Sequence, residues 1–133
     1  MSDLARWFQE GGAGMYAILL LDVLGLFGVG LSWIVALWGR LRGRSSALVR
    51  LVPALVMLGA ALPALVGAIS TFQAHVAVRA AVRFAEPAQR DALLAQGLAE
   101  ALVPLRFGGG STVLLGGLAV LALMIAPWGA KRG

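Results

Sequence analysis

Three long apolar runs, separated by two polar segments of unequal length, organise the chain. Residues 15–38 (MYAILLLDVLGLFGVGLSWIVALW) hold one formal charge, Asp22, whereas residues 51–72 (LVPALVMLGAALPALVGAISTF) and 107–128 (FGGGSTVLLGGLAVLALMIAPW) hold none. Each run reaches the roughly 20 residues that an α-helix needs to cross a hydrocarbon core. The pattern predicts an all-α integral membrane protein with three transmembrane helices, built as a single membrane domain over residues 1–133. The first run follows Asp3 and Glu10 and not a basic patch, and it is too long for the apolar part of a signal peptide, so it reads as a retained span.

The second polar segment, residues 73–106, predicts an extra-membrane helical hairpin. From Gln73 to Ala85 there is neither Gly nor Pro, so the second span can continue as helix beyond the membrane, extending into the outer aqueous layer. Glu86 and Pro87 stop it, because the residue before proline disfavours the α conformation. Residues 88–106 then predict a helix that returns towards the third span, which is thereby extended in the same way. His75, Arg79, Arg83 and Glu86 recur at helical spacing and share one face of the outgoing helix. A solvated face on a protruding helix accounts for them.

Composition agrees with the spans: 60% of the residues are hydrophobic, 13% are charged, and mean hydropathy is +0.89. Such a chain belongs in lipid. Its net charge of +5 marks the flanks of spanning helices, and with no soluble basic domain present it does not point to nucleic acid. The short connection GRLRGRSSALVR holds Arg40, Arg42, Arg44 and Arg50 without an acid, and Lys131 and Arg132 follow the third span. Excess arginine marks the cytoplasmic side, which places the N-terminus outside and the C-terminus inside. Trp38 and Trp128 suit the interfacial aromatic belt. There are no cysteines, hence no disulfide, no thiolate metal site and no thiol nucleophile.

A few polar groups remain inside or beside the spans. Asp22 lies about 10 Å into the first at 1.5 Å per residue. An intramembrane carboxylate is a functional-site hypothesis that calls for a partner, and Arg106, at similar depth, is the one expected; the alternative is an interfacial carboxylate that snorkels or is protonated. Glu100 and Arg106 stand six apart on nearly opposite sides of one helix and so look for partners elsewhere. Ser111 and Thr112 add hydroxyls. Gly108, Thr112 and Gly116 form a small-xxx-small stripe for close helix packing, widened by Gly109 and Gly117. No phosphate loop fits these glycines. His75 has no second histidine to support a metal site, no cofactor motif is present, and no constellation of catalytic residues suggests an enzyme.

Three stretches also resemble the MotA/TolQ/ExbB proton-channel family, in family order. GGAGMYAILLLDVLGLFGVG is similar to the opening of that family's first membrane helix. ALPALVGAISTF is similar to its GLLGTVxGMIxTF, and AQGLAEALVPLRFGG to its AxGIAEALVTTAAGL. Together they cover roughly half of the chain. The family's large cytoplasmic segment is absent between the first two spans, where this sequence has only Gly39 to Arg50. Its two pore threonines fall on Ala64 and Leu105, and Glu100 alone survives of the polar set.

The resemblance implies a TolQ/ExbB-like subunit of an ion-driven transport or energy-transducing complex in the bacterial inner membrane. It further implies a homo-oligomer, of five subunits in the family, around a single-span membrane partner protein. Asp22, Glu100, Arg106, Ser111 and Thr112 are then the candidates for an ion path. The alternative is a non-conducting oligomeric scaffold that binds a partner through its outer helices, and loss of both pore threonines speaks for it. A small exporter or holin-like protein would also explain three spans.

Overall fold

A computed structural model describes residues 3–43 and 47–127, with side chains from residue 12 onward. Arg44, Trp128, Lys131 and Arg132 lie outside the described residues, as do the side chains of Asp3, Arg6 and Glu10. Every regular element among the described residues is helical. Three stretches, Gly12–Leu41, Ala47–Val82 and Pro87–Ile125, are long and apolar enough to cross a membrane. The expected all-α architecture with three membrane helices is what the chain adopts.

The first helix, α1 (Asp3–Leu41), contains a kink at Gly12, whose φ of 58° and ψ of −152° are not helical. An L-residue with a side chain rarely adopts such a conformation, and glycine does so without a Cβ penalty. The apolar run therefore starts as helix just after Gly12, and Arg42 beyond its end stacks 4.7 Å from the ring centroid of Trp38. That contact sets a cation over an aromatic face where the apolar run finishes.

The second run is two helices. α2 (Ala47–Gly59) carries Pro53 inside it, and α3 (Leu62–Val82) begins one residue before Pro63. Pro63 has no N–H to give back to the preceding turn. The chain accommodates this at Ala60 and Ala61, where the Ala61 amide bonds the carbonyl of Leu58, a tightened turn in place of the α bond. α3 continues past Phe72 to Val82, as the lack of Gly and Pro from Gln73 onward predicts.

Glu86 is extended (φ −61°, ψ 140°) before a short 3₁₀ turn, Pro87–Gln89. This is the stop expected from the Glu-Pro pair. Arg90 secures the turn: its Nε donates to the carbonyl of Ala85 at 3.0 Å and its Nη2 to that of Arg83 at 3.3 Å. These carbonyls follow the end of α3, where helical partners run out.

The returning segment differs from expectation. In place of one helix over 88–106 followed by a span from 107, the chain forms α4 (Arg90–Ala101) and α5 (Val103–Ile125), divided at Leu102. Pro104 is the cause: it lacks the donor for the carbonyl four residues back and sits comfortably only in a first helical turn. The Leu102 amide turns instead to the carbonyl of Ala99, and α5 starts with Pro104 inside its first turn.

The described residues gather into two compact units within what the sequence presents as one membrane domain. One unites the chain up to Leu19 with Pro63–Gly110, and the other unites Leu20–Leu62 with the chain from Ser111. In the first, α3 and the start of α5 cross at close quarters. A Cβ on Gly67 would lie 2.5 Å from the carbonyl oxygen of Pro104, and one on Gly108 would collide with the carbonyl oxygen of Pro63. The two motifs, Pro63-x-x-x-Gly67-x-x-Ser70 and Pro104-x-x-x-Gly108-x-x-Ser111, are the same pattern, and each proline carbonyl meets the other's glycine. Gly14 of α1 packs directly on the Ser70 side chain, and Gly97 of α4 on Val78.

The second unit has larger side chains at its centre. Val29, Ala60 and Leu115 are buried together, flanked by Trp33, Val56 and Leu118, and a separate cluster joins Ala36, Val49 and Ala126. Gly25 admits the Leu115 side chain and Gly28 that of Val56. Many large apolar side chains face outward, among them Phe27, Ile34 and Met124. In water such a surface would aggregate; in lipid it is solvated.

Candidate functional site

Asp22 is the one formal charge within the expected spans, and the structure gives it a partner. Ser111 Oγ donates to Asp22 Oδ2 at 2.7 Å, linking α1 to α5 across 89 residues of sequence in a partly buried setting. The distance is that of a well-formed O–H···O hydrogen bond. The second carboxylate oxygen, Oδ1, is buried and has no hydrogen-bond partner. The site is therefore half satisfied: a carboxyl group with one fixed hydroxyl donor and one open oxygen.

Local packing explains why these two residues meet. Gly25, one turn along α1 from Asp22, has no side chain and accepts Leu115, one turn along α5 from Ser111. The glycine lets the two helices approach, and the turn next to it then brings the short serine side chain within reach of the carboxylate. Close approach through glycine with a polar bond beside it is a common device in membrane helices.

Depth along the helices suggested Arg106 as the partner of Asp22; the hydrogen bond that Asp22 makes within its own unit is to Ser111, and Arg106, which belongs to the other unit, is exposed. Glu100 is half-buried near the end of α4 and its Oε1 accepts a hydrogen bond from Gln96 Nε2 at 2.9 Å. The break at Leu102 also places Glu100 and Arg106 on two different helices, α4 and α5.

The residues of the packing stripe differ in their surroundings. Gly108 is buried against the backbone of Pro63 and Ala64, Thr112 is half-buried, and Gly116 lies 3.9 Å, measured from an added Cβ, from the Ala60 side chain. Within the chain, a Cβ on Gly109 or Gly117 would meet nothing within 4 Å. Each stands about 100° further round the helix than its neighbour in the stripe.

The reciprocal proline–glycine crossing is carried by a repeated P-x-x-x-G-x-x-S pattern, which gives it a signal in the sequence. Thr71 stands with Ser70 as a polar residue at the end of the second apolar run; it is buried with its hydroxyl unpartnered, and nothing in the local sequence signals that burial. His75 is half-buried, Arg79, Arg83 and Glu86 are exposed, and no group of His, Asp or Glu among the described residues is arranged to hold a metal ion.

No protein-family model, curated protein or solved structure matches this chain.

Proposed function

We propose that this chain is a membrane subunit of an ion-driven transport or energy-transducing complex, of the TolQ/ExbB kind that its three motif-like stretches resemble. The observation that carries this reading is the Asp22–Ser111 pair. A carboxylate inside an apolar span is costly, by about 2.5–3.5 kcal/mol on insertion scales, and such groups commonly belong to ion pathways. Here the group is held by a single hydroxyl and keeps an unfilled oxygen. Asp22 and Ser111 supply a binding step for the ion, Glu100 and Thr112 are further polar steps, and Arg106 carries an exposed charge near the start of α5. The chain sits in the bacterial inner membrane with its N-terminus outside, as the arginines of the short connection indicate. The outward apolar side chains of α1 and α5 then meet lipid, other copies of the chain, and a single-span partner.

A specific observation favours the second reading, a non-conducting scaffold. Ala64 and Leu105 occupy the positions of the family's pore threonines, and both lie in the α3–α5 crossing: Gly108 is packed on the Ala64 backbone and Gly67 on that of Leu105. Backbones this close leave no room for water between them. This close packing supports the scaffold reading, and under the transport reading the ion path uses the Asp22 site instead.

Proton and sodium flux into liposomes holding the purified protein separates the two. Under the transport reading, an imposed potential drives flux that Asp22→Asn abolishes. Flux equal to that of empty liposomes, with the wild-type protein folded and oriented, leaves the scaffold.

A further inference from the structure

Among the described residues, two buried side-chain polar atoms lack a hydrogen-bond partner: Asp22 Oδ1 and Thr71 Oγ1. The first belongs to the site already described. Thr71 is different, because it lies in α3, is only 6% exposed, and has a ready means of satisfying its hydroxyl locally. A threonine in a helix can bond the carbonyl one turn back; Thr71 does not do so. A valine would have the same shape without the unsatisfied hydroxyl.

The register of the surrounding helices shows what Thr71 faces. α3 and the α4–α5 segment run antiparallel, with Gly67 against Pro104 and Val78 against Gly97. Thr71 stands one turn beyond Gly67, on the face that carries Pro63, Gly67 and Val78. The two contacts bracket it: the part of the other side that lies opposite falls between Gly97 and Pro104, the segment that holds Glu100 and Ala101. In that segment Ala101 is buried, at 3% exposure, and Glu100 beside it is half-buried. Gln96, further round α4, holds the Glu100 carboxylate at its exposed side.

We propose that Thr71 is a second docking point for the Glu100 carboxylate, which alternates between the exposed Gln96 amide and the buried Thr71 hydroxyl. The movement is a side-chain rotation at the last turn of α4, next to the break at Leu102, where Pro104 supplies no N–H to brace the turn. In the outer position the carboxylate accepts from Gln96. In the inner position it accepts from Thr71, and the buried hydroxyl gains the partner it otherwise lacks. Thr71 is thus a positioning residue that acts through Glu100, and the exchange is a gate on the proposed ion path. The gating role rests on the transport reading, while the exchange itself does not.

The experiment combines flux with stability. In liposomes, Thr71→Val lowers ion flux at least tenfold, Thr71→Ser restores it, and Thr71→Val adds nothing to Glu100→Gln; a merely structural threonine would leave flux unchanged in the valine variant. Thr71→Val flux equal to wild type overturns the proposal. If the wild-type protein itself conducts nothing, the transport reading fails, and the exchange is judged by thermal unfolding in detergent of Thr71→Val, Glu100→Gln and the double variant. Non-additive shifts in Tm support the exchange, and additive shifts overturn it. The natural absence of cysteine allows a third readout, because a Thr71→Cys, Glu100→Cys variant has no background thiols: oxidation to a disulfide supports adjacency of the two positions, and its failure with the variant folded overturns it.

Discussion

Gly67 lies against the carbonyl oxygen of Pro104 with no room for a methyl group between them, and Gly108 lies in the same way against Pro63. The contact is backbone to backbone, so it depends on a hydrogen atom where every other residue type has carbon. Cα–H···O contacts of this kind contribute little each, but they become possible only when helices come this close. Adding a methyl at Gly67 or Gly108 costs about 1–3 kcal/mol through overpacking. Unfolding in mixed micelles should show Gly67→Ala and Gly108→Ala destabilised, with Gly109→Ala and Gly117→Ala near wild type, since the latter two meet open space.

The Asp22–Ser111 bond gives a second expectation. Ser111→Ala leaves a partly buried carboxylate without a donor on either oxygen and costs about 1.5–3 kcal/mol, the range for hydrogen bonds to charged groups. Asp22→Asn keeps an acceptor for the serine hydroxyl and costs less. Equal stability of the Ser111→Ala and wild-type proteins in micelles would sink the view that this bond joins α1 to α5.

Arg90 ties the end of α3 to the start of α4 through two carbonyls. Lysine keeps the charge but not the planar fork that reaches both acceptors. Arg90→Lys and Arg90→Ala are therefore expected to behave alike, each losing about 0.5–1.5 kcal/mol from an exposed pair of bonds. Amide exchange at residues 80–85 is the sensitive readout, and slower exchange in Arg90→Lys than in Arg90→Ala would count against the geometry.

Pro104→Ala restores the donor missing at the α4–α5 junction. The expected result is a helix continuous through Leu102, seen as slowed amide exchange at Leu102 and Val103. Global stability changes little, because proline in a first helical turn costs almost nothing. An unaltered exchange pattern would mean that packing of Gly108 on α3, and not the proline, divides the two helices.

Much of the fold was legible along the chain. The three apolar runs, the continuation of α3 and the stop at Glu86–Pro87 follow from hydropathy and from the backbone chemistry of proline. The same chemistry at Pro63 and Pro104 was present in the sequence, yet each proline sits in a run of otherwise helix-forming residues that reads as continuous, and both breaks were missed. The site was legible in its parts and not in its pairing. Asp22 and Ser111 stood out as polar groups in apolar runs, but which of them meet is set by rotation about the helix axis. That rotation is fixed by Gly25 and Leu115, whose pairing is tertiary. Thr71 was illegible for a related reason, since burial of a hydroxyl depends on what lies opposite it.

The reciprocal crossing also governs how such a sequence can drift over generations. Each glycine is required because the other helix is held close, and each helix is held close because the other glycine is present. A first substitution at either position pushes the backbones apart and thereby releases the second from its constraint. Descendant sequences therefore retain both Gly67 and Gly108, or they lose the pair together.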